Sequence, residues 1–224
     1  MKVAVITAIS GINNKLFDPT NVFEGVDYHA FVDQPNYESK IWKQHKVYNF
    51  TLDKNYVGRR NAKIYKILPN LFLPDYDYYF WVDSTHELIM NPNYVINDII
   101  KGGDIALFTH KQRSCVYQEG DELINLNYDN LELIQKQIEY YKSENYPENN
   151  GLYELPCSIR KNCEKINTMN LMWWELICKY SSRDQISLPF VLNKLNIKPF
   201  ILDGCANCGL NANNIMPQVR QKSY

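Results

Sequence analysis

The sequence predicts an α/β fold: one domain with a central, mixed but mostly parallel sheet flanked by helices. Strand-like apolar runs alternate with amphipathic helical ones along the whole chain, the pattern of a sheet crossed by helices. The run Tyr76-Asp77-Tyr78-Tyr79-Phe80-Trp81-Val82-Asp83-Ser84 is aromatic and β-branched, with no polar alternation through its middle. Such residues favour a pleated, buried setting, and a continuous run reads as a central strand covered on both faces. The chain has 224 residues, 45% of them hydrophobic, which is enough for one large core.

Each element follows from local pattern. Residues 2–7 read as a first buried strand, followed by the polar loop Ser10-Gly11-Ile12-Asn13-Asn14. Val26 to Asp33 reads as a second strand, with Asp33 at its carboxyl end, and Lys46-Val47-Tyr48 as a short third. Residues 59–68 place Ala62, Tyr65 and Leu68 on one face at helical spacing, and Pro69 stops or kinks that helix. After the aromatic strand, Asn91-Pro92 marks a turn. A short helix is predicted over 93–101, closed by Gly102-Gly103, and a strand from Asp104 to Thr109. Leu123, Leu126, Leu131, Ile134 and Ile138 predict one or two helices over 121–142, broken near Asn125–Asn130. A strand near 152–160, helices near 165–180 and 184–196, and a strand at 199–202 complete the domain, ahead of a polar, irregular tail.

Bulk properties exclude several classes. Net charge is −1 with a pI near 6.4, so no basic field is present to attract nucleic acid. The N-terminal apolar run is too short for a signal peptide, and no stretch approaches the roughly 20 apolar residues that span a bilayer. A cytoplasmic chain is the expectation. Cys115, Cys157, Cys163, Cys178, Cys205 and Cys208 are irregularly spaced, which argues against a disulfide framework. Cys205-Ala206-Asn207-Cys208 is a CxxC, but no second pair and no nearby His completes four zinc ligands.

Motif absences narrow the chemistry further. The first strand leads into Thr-Ala-Ile-Ser-Gly rather than GxGxxG, and neither GxxxxGK[ST] nor GxSxG occurs. Four constellations remain. Thr7, Ala8, Asp33 and Asp83 lie at strand ends, which a parallel sheet gathers along its ligand-binding edge. Asp83 alone can equally cap the following turn. Arg59-Arg60-Asn61-Ala62-Lys63 opens a helix, where basic side chains and the helix terminus both attract phosphate, although a solvated helix start has the same look. His110 to Glu119 packs His110, Arg113, Tyr117 and Glu119 into one loop-to-helix junction. Ser182 or Asp184 can cap a helix in Ser182-Arg183-Asp184-Gln185. An Asp facing a sugar pocket can also orient a hydroxyl and take its proton.

Taken in order, these pieces resemble a glycosyltransferase-like family of plant mucilage and pectin biology (the TOD/MUCI type), long catalogued as a domain of unknown function. The resemblance is carried by Ala62-Lys63, Lys66-Ile67-Leu68-Pro69, Trp81-Val82-Asp83-Ser84 and Asn91-Pro92. It continues through His110, Arg113, Cys115, Tyr117 and Glu119, then Arg160, Met172 and Trp173-Trp174, and ends on Ser182-Arg183-Asp184-Gln185-Ile186-Ser187. It implies a GT-A-like domain that moves a sugar from a nucleotide-diphosphate donor, a UDP-sugar, to a glycan or oligosaccharide acceptor in surface polysaccharide or glycoprotein glycan synthesis. The alternative is a nucleotide- or carbohydrate-binding protein of the same fold without turnover.

The implied organisation is a nucleotide-binding half over about 1–110, an acceptor half over about 111–204 and a tail over 205–224. Thr7, Ala8 and Asp33 then bind the nucleoside, Arg60 and Lys63 the diphosphate, and Asp83 a metal or the ribose. His110, Arg113, Glu119 and Gln185 shape the donor and sugar pocket, His110 and Glu119 also stand as catalytic candidates, and Asp184 acts as base or sugar-orienting carboxylate. The implied cofactor is Mn²⁺ or Mg²⁺ on Asp83. Asp83-Ser84-Thr85 offers one carboxylate where such motifs have two, with Arg59, Arg60 or Lys63 as substitute charge or Glu87 or Asp203 as a further ligand.

Overall fold

The computed structural model describes residues 1–10, 15–34, 37–47, 57–204 and 218–219. In chain order the elements begin with β1 (Val3–Ile9), β2 (Val26–Val32), β3 (Lys43–Lys46), α1 (Val57–Ile67), α2 (Pro69–Phe72), β4 (Tyr78–Val82) and β5 (His86–Glu87). They continue with α3 (Pro92–Tyr94), a π-helical stretch over Val95–Ile99, β6 (Ile105–Thr109), α4 (Val116–Asn125) and α5 (Leu131–Ser143). The last are β7 (Tyr153–Lys161), α6 (Glu164–Lys179), α7 (Asp184–Lys194), β8 (Phe200–Leu202) and β9 (Gln218–Val219).

Seven strands form one sheet in the order β3-β2-β1-β4-β7-β6-β8. All run parallel except β7, which is antiparallel to both β4 and β6. The aromatic strand β4 is the middle one, and all five of its residues are buried. Side chains alternate faces along a strand, and both faces of β4 are covered. Tyr79 and Trp81 pack with Ala4, Ile6 and Tyr65 on the α1 side. Tyr78, Phe80 and Val82 pack with Val95, Ile96 and Ile100 on the other. A third cluster, with Trp173 and Phe190 fully buried, lies under α6 and α7. Among the described residues no helix is long and apolar enough to cross a membrane.

Several boundaries differ from the sequence expectation. β1 runs two residues past Thr7, because its pairing with β2 continues to Ile9. Thr7 is therefore inside the strand rather than at its end. β3 begins at Lys43, earlier than expected, with Tyr48 outside the described residues. The helix over 93–101 is one helical turn from Pro92 followed by a π-helical stretch, with Asn91 Oδ1 accepting from Asn93 N at 2.9 Å. Gly102, at φ +74°, then turns the chain in a conformation that glycine adopts without strain. α4 starts at Val116, five residues before the hydrophobic periodicity suggests. The tail expected to be irregular contributes β9, which pairs with β5; Cys205 and Cys208 lie outside the described residues.

A hydrogen-bonded chain crosses the β2–β3 end of the sheet. Tyr76 donates its hydroxyl to Asp27 Oδ2 at 2.8 Å, so its oxygen accepts from His29 Nε2–H, also at 2.8 Å. His29 Nδ1 is then the acceptor for His45 Nε2–H, at 2.8 Å. Burial, with the nearby His45 and Lys43, pulls the His29 pKa down to about 4. Burial and the bond to Asp27 push Tyr76 up to about 12.

The sign of the resulting pH dependence is fixed. An unfolded histidine takes its proton near pH 6.5, whereas folded His29 does so near 4. Between these values the unfolded chain binds more protons, so stability falls as pH drops from about 6.5 towards 4 and then levels. Urea denaturation between pH 7.5 and 4.5 should show this decline, and His29→Gln should flatten most of it. An unchanged slope in the variant would show that His29 does not carry the effect.

Candidate functional site

A cleft of about 460 Å³ opens beside the carboxyl ends of β1 and β4, between α1 and the start of α7. Parallel strands place such crevices at this edge. Ala8, near the end of β1, and Trp81 and Asp83, at the end of β4, line one side. Lys63 and Lys66 on α1 face Asp184 and Gln185 on α7, and Tyr128 closes another wall. Asp83 is anchored through its backbone, where its N–H donates to Pro156 O at 2.8 Å.

Residues three apart on a helix share a face, so α1 presents Lys63 and Lys66 together. Both ammonium groups meet Asp184 Oδ2, at 2.9 and 2.6 Å respectively. Lys66 also donates to Leu155 O at 2.7 Å and lies 3.7 Å from Asp83 Oδ1. That same Asp83 oxygen accepts the Trp81 indole N–H at 2.6 Å. Lys66 is only 4% exposed, Lys63 18% and Asp83 40%. Burial alone would raise the Asp184 pKa, but the charges of Lys63, Lys66 and Arg183 outweigh it and hold the carboxyl well below the usual range. For Lys63 burial wins: its pKa is lowered in spite of Asp184.

Behind the cleft the segment entering α7 is fixed by buried acids. Asp129 Oδ2 accepts from the hydroxyls of Ser181 and Ser182, at 2.9 and 2.8 Å, and from Ser182 N at 2.7 Å. Burial opposes ionisation of Asp129, yet these bonds hold its pKa below the usual value. Ser182 is thus spent on Asp129 and does not cap α7; Arg183 occupies the cap position and Asp184 the first helical one. Glu119 is 1% exposed and splits its oxygens between two arginines, Arg113 at 2.8 Å and Arg183 at 3.2 Å. Arg183 also stacks over the Tyr128 ring, 4.9 Å from its centroid, so this clamp sets one wall of the cleft.

The structure brings Ala8, Lys63, Asp83, Asp184 and Gln185 together, as the sequence suggests, and adds Lys66, Arg183 and Tyr128. Gln185 donates Nε2 to Tyr153 O at 3.1 Å, while its buried Oε1 has no hydrogen-bond partner. The other candidates do not line the cleft. Thr7 lies on the opposite face of β1 from Ala8 by strand alternation, with an unpartnered buried hydroxyl. Asp33 follows β2, where its N–H donates to Ile9 O at 3.1 Å. Arg60 donates to Ile177 O and Tyr180 O at the end of α6, at 3.3 and 2.8 Å. His110 accepts from Arg113 N through Nδ1 at 3.1 Å, and burial lowers its pKa. Arg113 is held by Glu119, and the side chains of Arg59 and Glu87 lie outside the described residues. The sequence signal for Lys66 was its position one turn after Lys63. Tyr128, in a loop between helices, left none.

The donor set does not fit a protein-held Mn²⁺ or Mg²⁺. Among the described residues no group of three or more His, Cys, Asp or Glu can hold a metal. The inner oxygen of Asp83 is taken by Trp81 beside an ammonium, and Asp184 Oδ2 by two ammonium groups. A cation here would have to draw most of its oxygen ligands from substrate phosphates and water, next to two ammonium groups.

The family model described as TOD1/MUCI70, glycosyltransferase-like domain, matches residues 2–217. The probable hexosyltransferase MUCI70 of Arabidopsis thaliana is 25% identical over 224 residues, an alignment covering 88% of this chain and 38% of that protein. The chain therefore spans little over a third of that relative's length. A solved structure titled "WbbM bifunctional glycosytransferase apo structure" superposes with a TM-score of 0.47 at 8% identity, covering 89% of this chain and 38% of that one.

The Glu119 clamp makes a stability prediction. Removing one member of a buried ion pair leaves its partners uncompensated and typically costs about 3–5 kcal/mol. Arg113 and Arg183 are partly exposed here, so Glu119→Ala should fall near the lower end, about 3 kcal/mol, by urea denaturation. A cost under about 1 kcal/mol, the range of surface ion pairs, would remove the clamp from the account.

Proposed function

The chain belongs to the TOD1/MUCI70 glycosyltransferase-like family, and on that footing we propose that it transfers a sugar from a UDP-sugar to a hydroxyl of a glycan acceptor. Surface polysaccharide or glycoprotein glycan is the acceptor class we assign. The observation that supports this most is the cleft at the sheet edge, where two lysines and two carboxylates converge beside Gln185. In the reaction the acceptor oxygen attacks the anomeric carbon. The bond from that carbon to the diphosphate oxygen breaks, its electron pair leaves with UDP, and the hydroxyl proton passes to solvent or a carboxylate.

The roles follow from chemistry and position. Lys63 faces the diphosphate as a point charge. Asp83, half exposed at the end of β4, accepts from a ribose hydroxyl, and Ala8 borders the nucleoside. Gln185 borders the sugar on the α7 side of the cleft. Asp184 is a weak proton acceptor, because its lysine partners stabilise the ionised form. Its role in this reading is to orient the sugar and the lysines in the ionised state.

Incubating the protein with a panel of UDP-sugars and glycan acceptors, followed by measurement of free UDP, tests the reaction. UDP release that rises with acceptor concentration is the expected outcome. Binding of UDP without release would make the protein a nucleotide-binding relative without turnover. Asp184→Asn should bind UDP yet transfer about 100-fold more slowly, the loss typical of removing one preorganised polar group from an active site. A near-parental rate would return Asp184 to a purely structural role.

A further inference from the structure

We propose that Lys63 and Lys66 carry the leaving diphosphate in this cleft, so that donor binding and transfer proceed without a divalent cation. The inference rests on the transferase reading above and concerns how that site handles charge. UDP leaves with its new negative charge on the β-phosphate, which a metal commonly neutralises. The charged groups lining this cleft are three cations, Lys63, Lys66 and Arg183, against two carboxylates, Asp83 and Asp184. Behind the wall Glu119 pairs with Arg183 and Arg113, so the set with its direct partners is four cations against three carboxylates, a single net positive charge that favours a dianion and opposes Mn²⁺ or Mg²⁺.

The two lysines divide the work by position. Lys66 is buried and fixed by Leu155 O and Asp184, with its charge 3.7 Å from Asp83 Oδ1, where a cation on that oxygen would meet it. It supplies a rigid positive field. Lys63 is the more exposed, on the cleft wall, and pairs with Asp184 at 2.9 Å. A phosphate oxygen can join Asp184 as a partner of that ammonium while Lys66 keeps the carboxylate compensated. The step balances: the carbon–oxygen bond to UDP breaks, the electron pair stays on the phosphate oxygen, and the positive charges facing it are ammonium groups already in place.

Isothermal titration with UDP, GDP, CDP and dTDP, each in EDTA and in Mn²⁺ or Mg²⁺, tests this on the whole chain. The expected result is nucleotide binding in EDTA with a Kd within about threefold of that in metal. Lys63→Gln should weaken the diphosphate at least about tenfold, the scale of one charge-assisted hydrogen bond, and Lys63→Arg should retain most of the affinity. UDP release from a UDP-sugar should likewise persist in EDTA. Binding or release only in Mn²⁺, lost again in Asp83→Asn, would overturn the inference and leave the transferase reading standing. Unchanged affinity in Lys63→Gln would also overturn it. No binding of any of the four in either condition would overturn both.

Discussion

Asp184 Oδ2 receives two ammonium groups from one face of α1, and the rest of the site is arranged around that contact. Burying a carboxylate or an ammonium alone is costly, and the cost is offset only where partners and hydrogen bonds are complete. Asp184 and Lys66 are each 5% exposed or less, so each compensates the buried charge of the other. The contact fastens the first residue of α7 to the C-terminal half of α1. It thereby closes the carboxyl edge of the sheet into a cleft rather than leaving two separate helix ends.

The surrounding polar network keeps that contact in register. Arg160, fully buried on β7, donates to the carbonyls of Lys66 and Ile67, the last turn of α1, and to Asn170 on α6 at 2.7 Å. Arg60 does the reverse service, donating from α1 to the last carbonyls of α6. Helix carboxyl ends carry unpaired carbonyls and partial negative charge, so arginine is well matched to both tasks. Trp173 on α6 donates to Ser187 Oγ on α7 at 3.0 Å. Three helices are thus pinned to one another through side-chain hydrogen bonds, and the cleft inherits their rigidity. Residues with the look of catalytic groups, Glu119 and His110 among them, are used to hold the loops and helix starts that border it.

Much of the fold was legible because it depends on local periodicity. The uninterrupted apolar run of β4 could only be a central strand, and the face made by Ala62, Tyr65 and Leu68 could only be a helix ended by Pro69. The boundaries that slipped are those set by pairing. Thr7 looked like a strand end because polarity begins there, whereas β2 holds β1 in register to Ile9. β9 left no periodic trace, since two residues paired with β5 are too few to show one. Ser182 looked like a cap because its sequence neighbours allowed it, and Asp129, fifty-three residues away, claimed its hydroxyl instead.

The sequence by itself determined the main strands and helices, that the sheet is mostly parallel, and that Asp83 emerges at its carboxyl edge. Those properties follow from backbone preference and the alternation of apolar residues, which act over a few neighbours. It also marked Lys63, Asp184 and Gln185 as a basic helix face and an acidic helix start. Only the tertiary structure decided who meets whom. Lys66 and Asp184 are separated by 118 residues, yet their bond is 2.6 Å long. Nothing local distinguishes Asp184, paired with lysines at the cleft, from Glu119, paired with arginines behind it. A carboxylate's role is set by the charges that surround it at a few ångströms, and that arrangement exists only once the helices have packed on the sheet.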